Sequence, residues 1–137
     1  MIANDASLVQ KEWSPEQGWL GVVPGVTTIK EAVNKLGGVC ETAEMANGFS
    51  FDFRDGLIRV TSIEQQGTIS KLWISGELAE QGIIPGSLKY AKSMFSNLRL
   101  VRHDSSNAEI YESDGIRLAA VTGNDDASVI WMEFFPA

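Results

Sequence analysis

Few side chains in this sequence have the types and spacing that catalysis requires. His103 is the only histidine and Cys40 the only cysteine. A histidine base needs an oriented carboxylate, and a nucleophilic triad also needs a reactive serine or cysteine. Asp104 adjoins His103, but adjacent residues on a strand point to opposite faces. We therefore expect His103 to be a surface residue, Cys40 to be a buried thiol, and no catalytic residues to be present.

The acidic residues are numerous but scattered, so they do not predict a metal site. A zinc site needs several cysteines or histidines at ligand spacing, and one of each is too few. Asp125-Asp126 lie in a polar loop that lacks the liganding periodicity and distal glutamate of an EF-hand. The segment 21–25 has glycines but lacks the Gly-Lys-Ser/Thr ending of a phosphate loop. We predict neither a metal nor a cofactor.

Two arginines and two tryptophans form a repeated pattern that could serve recognition. Arg59 lies 14 residues before Trp73, and Arg117 lies 14 residues before Trp131. If each pair spans a β-hairpin, each guanidinium faces its indole across two strands, a contact worth about 0.5–1 kcal/mol at an exposed site. The pairs are then either structural, with the tryptophans buried or satisfied within the fold, or part of a binding surface. Tryptophan and arginine are enriched at interface hot spots, so these four residues are the candidate partner-binding site.

Strand alternation indicates which face of the sheet these side chains share. It places both tryptophans on one face of the sheet and a set of apolar side chains on the other face. The set comprises Leu72, Ile74, Ile130, Met132 and Phe134. If helices cover the apolar set, Trp73, Trp131 and both arginines lie on the other face.

The elements that position these residues follow a short sequence motif that occurs twice in the chain. Val22-Val23-Pro24-Gly25 and Ile83-Ile84-Pro85-Gly86 each precede a hydroxyl residue and an amphipathic stretch. Thr28 and Glu31 have the form of a capping box. Ser87 is the corresponding cap in the second copy. The predicted apolar stripes are Ile29, Ala32, Val33 and Leu36, and then Leu88, Ala91, Met94, Phe95 and Leu98.

After each helix, four short strand-like runs alternate with turns. The first four runs are Val39 to Met45, Phe49 to Phe53, Leu57 to Ile63 and Thr68 to Ser75. The second four are Leu98 to His103, Ala108 to Glu112, Ile116 to Thr122 and Ala127 to Phe135. The order of turns is the same in both sets.

The predicted fold class is α+β, with two tandem helix-plus-four-stranded antiparallel meander units sharing one core. One helix and four strands bury too little surface alone, so we expect residues 1–137 to form one domain. Residues 1–20 would be an N-terminal arm docked through Trp13 and Trp19, 21–76 the first repeat and 82–135 the second. The pattern does not decide whether the meanders form one continuous sheet or pack face to face.

The segment Val23-Pro24-Gly25-Val26-Thr27-Thr28, the apolar helix after it and Leu36-Gly37 resemble the opening of the SmpA/BamE-like repeat. The same pattern is similar to units of the tandem β-lactamase-inhibitor-protein-like fold. The resemblance covers about 15 residues, and in the second half Asn97-Leu98 replaces the Leu-Gly ending. It implies short helices on an antiparallel sheet and protein binding through the sheet or its loops. The sequence has no lipoprotein signal, so an outer-membrane assembly role is not supported.

The composition of the chain excludes some classes of binding partner. The formal net charge of -7 disfavours nucleic-acid binding, which needs clustered basic residues. No apolar stretch approaches a membrane span of about 18 residues, and no signal peptide is recognisable. We expect a cytoplasmic protein with no membrane or nucleic-acid partner.

The sequence favours a non-catalytic interaction or regulatory module. It would present a sheet face, or the groove between repeats, to a protein partner or to a second copy as a homodimer. The alternative is a small-molecule binding protein or modest enzyme with an apolar pocket between sheet and helices. Aromatic residues such as Phe49, Tyr90 and Phe95 support that alternative weakly.

Overall fold

The computed structural model describes residues 17–38, 41–64, 66–95, 97–105, 107–123 and 126–136. Two α-helices, α1 (Ile29–Leu36) and α2 (Leu88–Met94), lie in this part of the chain. The strands after α1 are β1 (Glu41–Met45), β2 (Gly48–Phe53), β3 (Ile58–Ser62) and β4 (Ile69–Ser75). Those after α2 are β5 (Arg99–Ser105), β6 (Ala108–Ser113), β7 (Ile116–Val121) and β8 (Val129–Phe134). Short 3-10 segments occur at Arg54–Gly56 and Gly76–Gln81.

The eight strands form a single antiparallel sheet in the order β1-β2-β3-β4-β8-β7-β6-β5. The predicted fold class, two helix-plus-four-stranded units sharing a core, is therefore wrong. β4 pairs directly with β8, with Trp73 opposite Glu133 and Ile74 opposite Met132. The sheet, with a few short helices, is the dominant structure, and it is continuous through its centre.

The pairing of β4 with β8 has a physical reason, but the alternation of residues in the sequence does not predict it. Two separate four-stranded sheets would expose four strand edges, and each edge carries unpaired N–H and C=O groups. Joining the inner edges leaves only β1 and β5 at the outside. Alternation along one strand reports which face a side chain takes, but it does not report which strand lies beside it.

One hydrophobic core fills the space between the helices and one face of the sheet. α1 buries Ile29, Ala32 and Leu36 in this core, and α2 buries Leu88 and Ala91. The sheet contributes alternate residues. These include Phe51, Phe53, Ile58, Val60, Leu72, Ile74, Met132 and Phe134. The predicted helical stripes and aromatic alternation are confirmed at these positions.

The predicted capping box at α1 is confirmed. The backbone N–H of Thr28 donates to Glu31 Oε1 at 2.9 Å, and the Glu31 N–H donates to Thr28 Oγ1 at 3.2 Å. Ser87 caps α2 by accepting from the Tyr90 N–H. Because these bonds satisfy donors that the first helical turn leaves unpaired, both short helices begin at defined residues.

Trp19 fastens the segment before α1 to the body of the protein. Its side chain is 0% exposed, and its indole N–H donates to the Ile83 carbonyl at 3.0 Å. The ring stacks on Phe134 and also contacts Phe95. Trp19 therefore docks as expected, whereas Trp13, predicted to do the same, lies outside the described residues.

None of the described helices has the length and apolar character needed to cross a membrane. Cys40 and Asp125, considered above as a thiol and a loop carboxylate, also lie outside the described residues.

Candidate functional site

The sheet has a second face, turned away from α1 and α2, which we call the open face. Val60 and Leu72 are buried in the core, so their strand neighbours Arg59 and Trp73 point to the other side. Arg59 is exposed and Trp73 is half-buried. The structure thus places the predicted site residues of this hairpin on the open face.

One row of directly opposed residues crosses the open face through all eight strands. From β1 to β5 the row is Glu41, Asp52, Arg59, Trp73, Glu133, Arg117, Glu112 and Arg99. We call it the cross-sheet row. Seven of its members are charged, and Trp73 is the aromatic residue near its centre. Opposed side chains of opposite charge stabilise neighbouring strands, so the row is electrostatically matched along most of its length.

Arg59 makes an ion pair on one neighbouring strand and an aromatic contact on the other. Its Nε lies 2.7 Å from Asp52 Oδ1, and Nη2 donates to Oδ2 at 3.4 Å. Its Cζ lies 5.8 Å from the centroid of Trp73, the residue that faces it on β4. The hydrogen bond to Asp52 raises the pKa of Arg59 above its usual value. The predicted Arg59–Trp73 pairing is confirmed, and Asp52 restrains the guanidinium beside the indole.

Arg117 is held by two carboxylates. Its Nε lies 2.7 Å from Glu112 and its Nη1 3.3 Å from Glu133. The hydrogen bond to Glu112 is the main reason that the pKa of Arg117 is raised. Lys71 also contacts Glu133, at 3.2 Å. The aromatic residue beside the guanidinium is Phe135, at 5.3 Å from the ring centroid.

The predicted pairing of Arg117 with Trp131 is wrong. Arg117 faces Glu133, and Trp131 faces Ala119. Six residues separate Ser62 from its β4 neighbour Ile69, whereas eight separate the corresponding residues Ala120 and Val129. The longer connection shifts the second hairpin by two residues, so Glu133 occupies the place that Trp73 has in the first.

Each of these hairpins also contains a register shift that breaks strict alternation. Ser70 on β4 and Ile130 on β8 are skipped in the pairing with the preceding strand. An extra residue of this kind changes the side to which later residues point. Ile130 is 39% exposed, although alternation predicts that it lies with Met132 and Phe134 in the core.

Trp131 nevertheless lies on the open face, in an apolar setting. It pairs with Ser75 on β4 and with Ala119 on β7. Ala119 and the residue that faces it, Ile110, are buried without belonging to the main core. Trp131 is half-buried and has exposed Ile130 beside it. The open face therefore has a charged centre around Trp73 and an apolar region around Trp131.

His103 takes part in a small polar group with Glu109 and Tyr111. Its Nδ1 lies 3.3 Å from Glu109 Oε2, and the Tyr111 hydroxyl donates to Glu109 Oε1 at 3.2 Å. The His103 side chain is 65% exposed, as expected for a surface residue. Among the described residues, no three His, Cys, Asp or Glu side chains are grouped so that they could hold a metal ion.

Three aromatic rings pack against one another in the core at the C-terminal end of α2. Trp19 lies 5.3 Å from Phe134 and 5.7 Å from Phe95, measured between ring centroids. A cleft of about 470 Å³, lined by Thr28, Ile29, Lys30, Gln66 and Gly67, lies instead at the start of α1. The Thr28 N–H at that helix start already donates to Glu31. A small-molecule binder or modest enzyme stays a prediction without a specific observation in its favour.

The sequence pattern identified the two arginines and the two tryptophans but not the carboxylates that form ion pairs with the arginines. Asp52 and Arg59 flank the turn at Asp55-Gly56, and Glu112 and Arg117 flank the corresponding turn at Asp114-Gly115. Opposite charges placed symmetrically about a hairpin turn are visible in a sequence. Glu133 carried no such signal, because its contact with Arg117 depends on the length of the β7–β8 connection.

Comparisons with known proteins identify no family. No protein-family model matches the sequence, and no curated protein matches it. Among solved structures, the chain is similar to a cysteine-rich secretory protein from Staphylococcus aureus subsp. aureus Mu50, with a TM-score of 0.45 and 12% identity over 79% of this chain. The chain spans 43% of that protein's length, and a likeness of this size supports no conclusion about function. The resemblance to SmpA/BamE-like repeats stays a prediction.

Proposed function

We propose that this protein is a non-catalytic interaction module that binds a protein partner on the open face of its sheet. The carrying observation is the position of Trp73, half-buried at the centre of the cross-sheet row with the Arg59 guanidinium against its ring. Trp131 and Arg117 lie on the same face. A cytoplasmic location stays a prediction.

The chemistry of this surface favours a protein over other partners. Interface hot spots are enriched in tryptophan, tyrosine and arginine. Arg59 and Arg117 are fixed by carboxylates at 2.7 Å, so binding costs little further side-chain entropy. The partner surface that fits is apolar opposite Trp131 and polar opposite the ion pairs. Phosphates suit the site poorly, because its guanidinium groups are already paired with carboxylates.

The test is a pull-down in which the full chain is the bait, as the wild type and as two double variants. Trp73→Ala with Trp131→Ala removes both indoles from the open face, while Lys89→Ala with Tyr90→Ala changes two exposed residues on α2. We expect to capture a partner protein that binds the wild type and the α2 variant with equal affinity. Its affinity for the tryptophan variant should be at least about tenfold lower. The affinities are measured with the purified partner by calorimetry.

Circular dichroism and the unfolding midpoint verify that each variant keeps the fold. Because both tryptophans are only half-buried, the double variant should remain folded. Equal affinity of the partner for all three forms would contradict the proposal, as would loss of binding by the α2 variant alone.

A further inference from the structure

The sheet ends in two edge strands of different character. β1 and β5 each pair with one neighbour within the described part of the chain. All five residues of β1 are exposed, so this strand projects beyond the core. Edge strands offer unpaired N–H and C=O groups on which another strand can be added. Within the described part of the chain, both ends of the sheet thus offer a place for a further strand.

The two edges carry opposite charge. β1 contains Glu41 and Glu44 and no basic residue. β5 begins Arg-Leu-Val-Arg-His, and Arg99, Arg102 and His103 are exposed. Asp104 is the only acidic residue of β5. A basic edge is unusual on a chain with a net charge of -7, and the natural counterpart within the same protein is the acidic edge of β1.

The direction of the strands allows these edges to meet. Every neighbouring pair in the sheet is antiparallel, and the sheet has eight strands. With an even number of alternating strands, the first and last run in opposite directions. A second copy placed beside the first without being turned over therefore brings β5 antiparallel to β1, with both open faces on the same side. An odd number of strands would bring the edges together in parallel.

We propose that copies of this chain associate head to tail, with β1 of one copy added to β5 of the next. Glu41 and Glu44 of the first copy then lie against the basic segment Arg99 to His103 of the second. The contact joins two different surfaces, so each added copy leaves a β1 edge and a β5 edge unoccupied at the ends. Such a contact generates an open series of oligomers unless a rotation closes it.

Two features keep this association weak. β1 has only five residues, and β5 has register shifts between Leu100 and Arg102 and between His103 and Ser105. Short edges and bulges are devices that limit edge-to-edge pairing. The oligomers should form in a concentration-dependent and reversible way. They should also dissociate in about 1 M salt, where the screening length falls to about 3 Å.

The first experiment is sedimentation equilibrium of the full chain over a range of concentrations at low salt. The weight-average mass should rise with concentration past that of a dimer and should return to the monomer mass in high salt. A chain that stays monomeric at every concentration overturns the proposal. So does a mass that stops at the dimer, because that result indicates a symmetric contact.

The second experiment reverses the charge of one edge at a time. Glu41→Lys with Glu44→Lys gives a chain with two basic edges, and Arg99→Glu with Arg102→Glu gives one with two acidic edges. Each variant alone should need at least about tenfold higher concentration to associate. An equimolar mixture should associate again, because each β1 then meets a β5 of opposite charge. Failure of the mixture to recover overturns the proposal.

Matched controls have the same change in net charge at exposed sites away from both edges. Lys30→Glu with Lys89→Glu matches the acidic variant, and Glu64→Lys with Glu80→Lys matches the basic one. Both controls should associate like the wild type. Trp73→Ala with Trp131→Ala should also associate normally, and this separates edge pairing from partner binding on the open face.

Discussion

At the scale of single residues, the open face owes its order to hydrogen-bonded charges. Arg59 and Arg117 each meet a carboxylate at 2.7 Å on the neighbouring strand. Their side chains are 46% and 36% exposed, and ion pairs so open to water contribute at most about 1 kcal/mol each. Their main effect is therefore to fix the positions of the guanidinium groups. That rigidity matters for recognition, since a flexible arginine loses more entropy on binding.

The α1 capping box gives a pH-dependent prediction at this scale. The backbone N–H of Thr28 lowers the pKa of Glu31, so the folded state favours the ionised carboxylate. A lowered pKa adds stability above the pKa of the unfolded chain, and this is lost as the pH falls through the folded value. Glu31→Gln should therefore be less stable than the wild type at neutral pH.

The difference between the two forms should shrink as the pH falls through the lowered pKa of Glu31, because the wild-type carboxylate becomes protonated there. The measurement is the urea midpoint of both proteins from neutral pH to about pH 3. A difference that does not change with pH would show that the charge of Glu31 plays no part in the cap.

At the scale of elements, the bulge in β8 decides which side chains enter the core. Met132 is 0% exposed and Ile130 is 39% exposed, although strict alternation would place them on one face. Met132→Ala should destabilise the protein by about 2–5 kcal/mol. Ile130→Ala should change the free energy of unfolding by no more than about 0.5 kcal/mol.

The two free energies come from urea unfolding of each variant, with the wild type as reference. Because both changes truncate an apolar side chain of the same strand, each serves as the control for the other. Equal losses of stability would mean that Ile130 and Met132 are buried alike and that the register shift is absent.

The elements themselves were largely predictable from sequence, while their arrangement was not. The eight strands and two helices lie at the predicted places, because periodicity, capping residues and Gly turns are local signals. Pairing between β4 and β8 depends on contact between strands far apart in sequence. The position of Trp131 relative to Arg117 depends on two extra residues in a connection and on an unpaired residue, Ile130. Neither of these leaves a periodic signal.

At the scale of the whole molecule, the β4–β8 pairing makes the sheet one cooperative structure. The core includes residues from both halves of the sheet, such as Phe53 on β2 and Tyr111 on β6. Neither group of four strands therefore has a separate interior. The two groups should unfold together, and the exposed strand β1 should open by itself at lower cost.

Native-state hydrogen exchange tests this expectation residue by residue. The backbone amides of Leu72 and Met132, on the two central strands, should exchange only through global unfolding. Amides of β1 should exchange several orders of magnitude faster. If β1–β4 and β5–β8 exchanged with two distinct free energies, the halves would be separate cooperative units.

The position of β8 also constrains how the protein is made. This strand is the last of the eight to be synthesised, yet it lies at the middle of the sheet between β4 and β7. A ribosome needs on the order of 3 to 10 seconds to travel from the end of β4 to β8. Throughout that interval β8 is not available to pair with the inner edge of β4, and unpaired strand edges promote aggregation. The two central pairings, of β8 with β4 and with β7, can therefore form only after the whole of β8, up to Phe134, has left the ribosome.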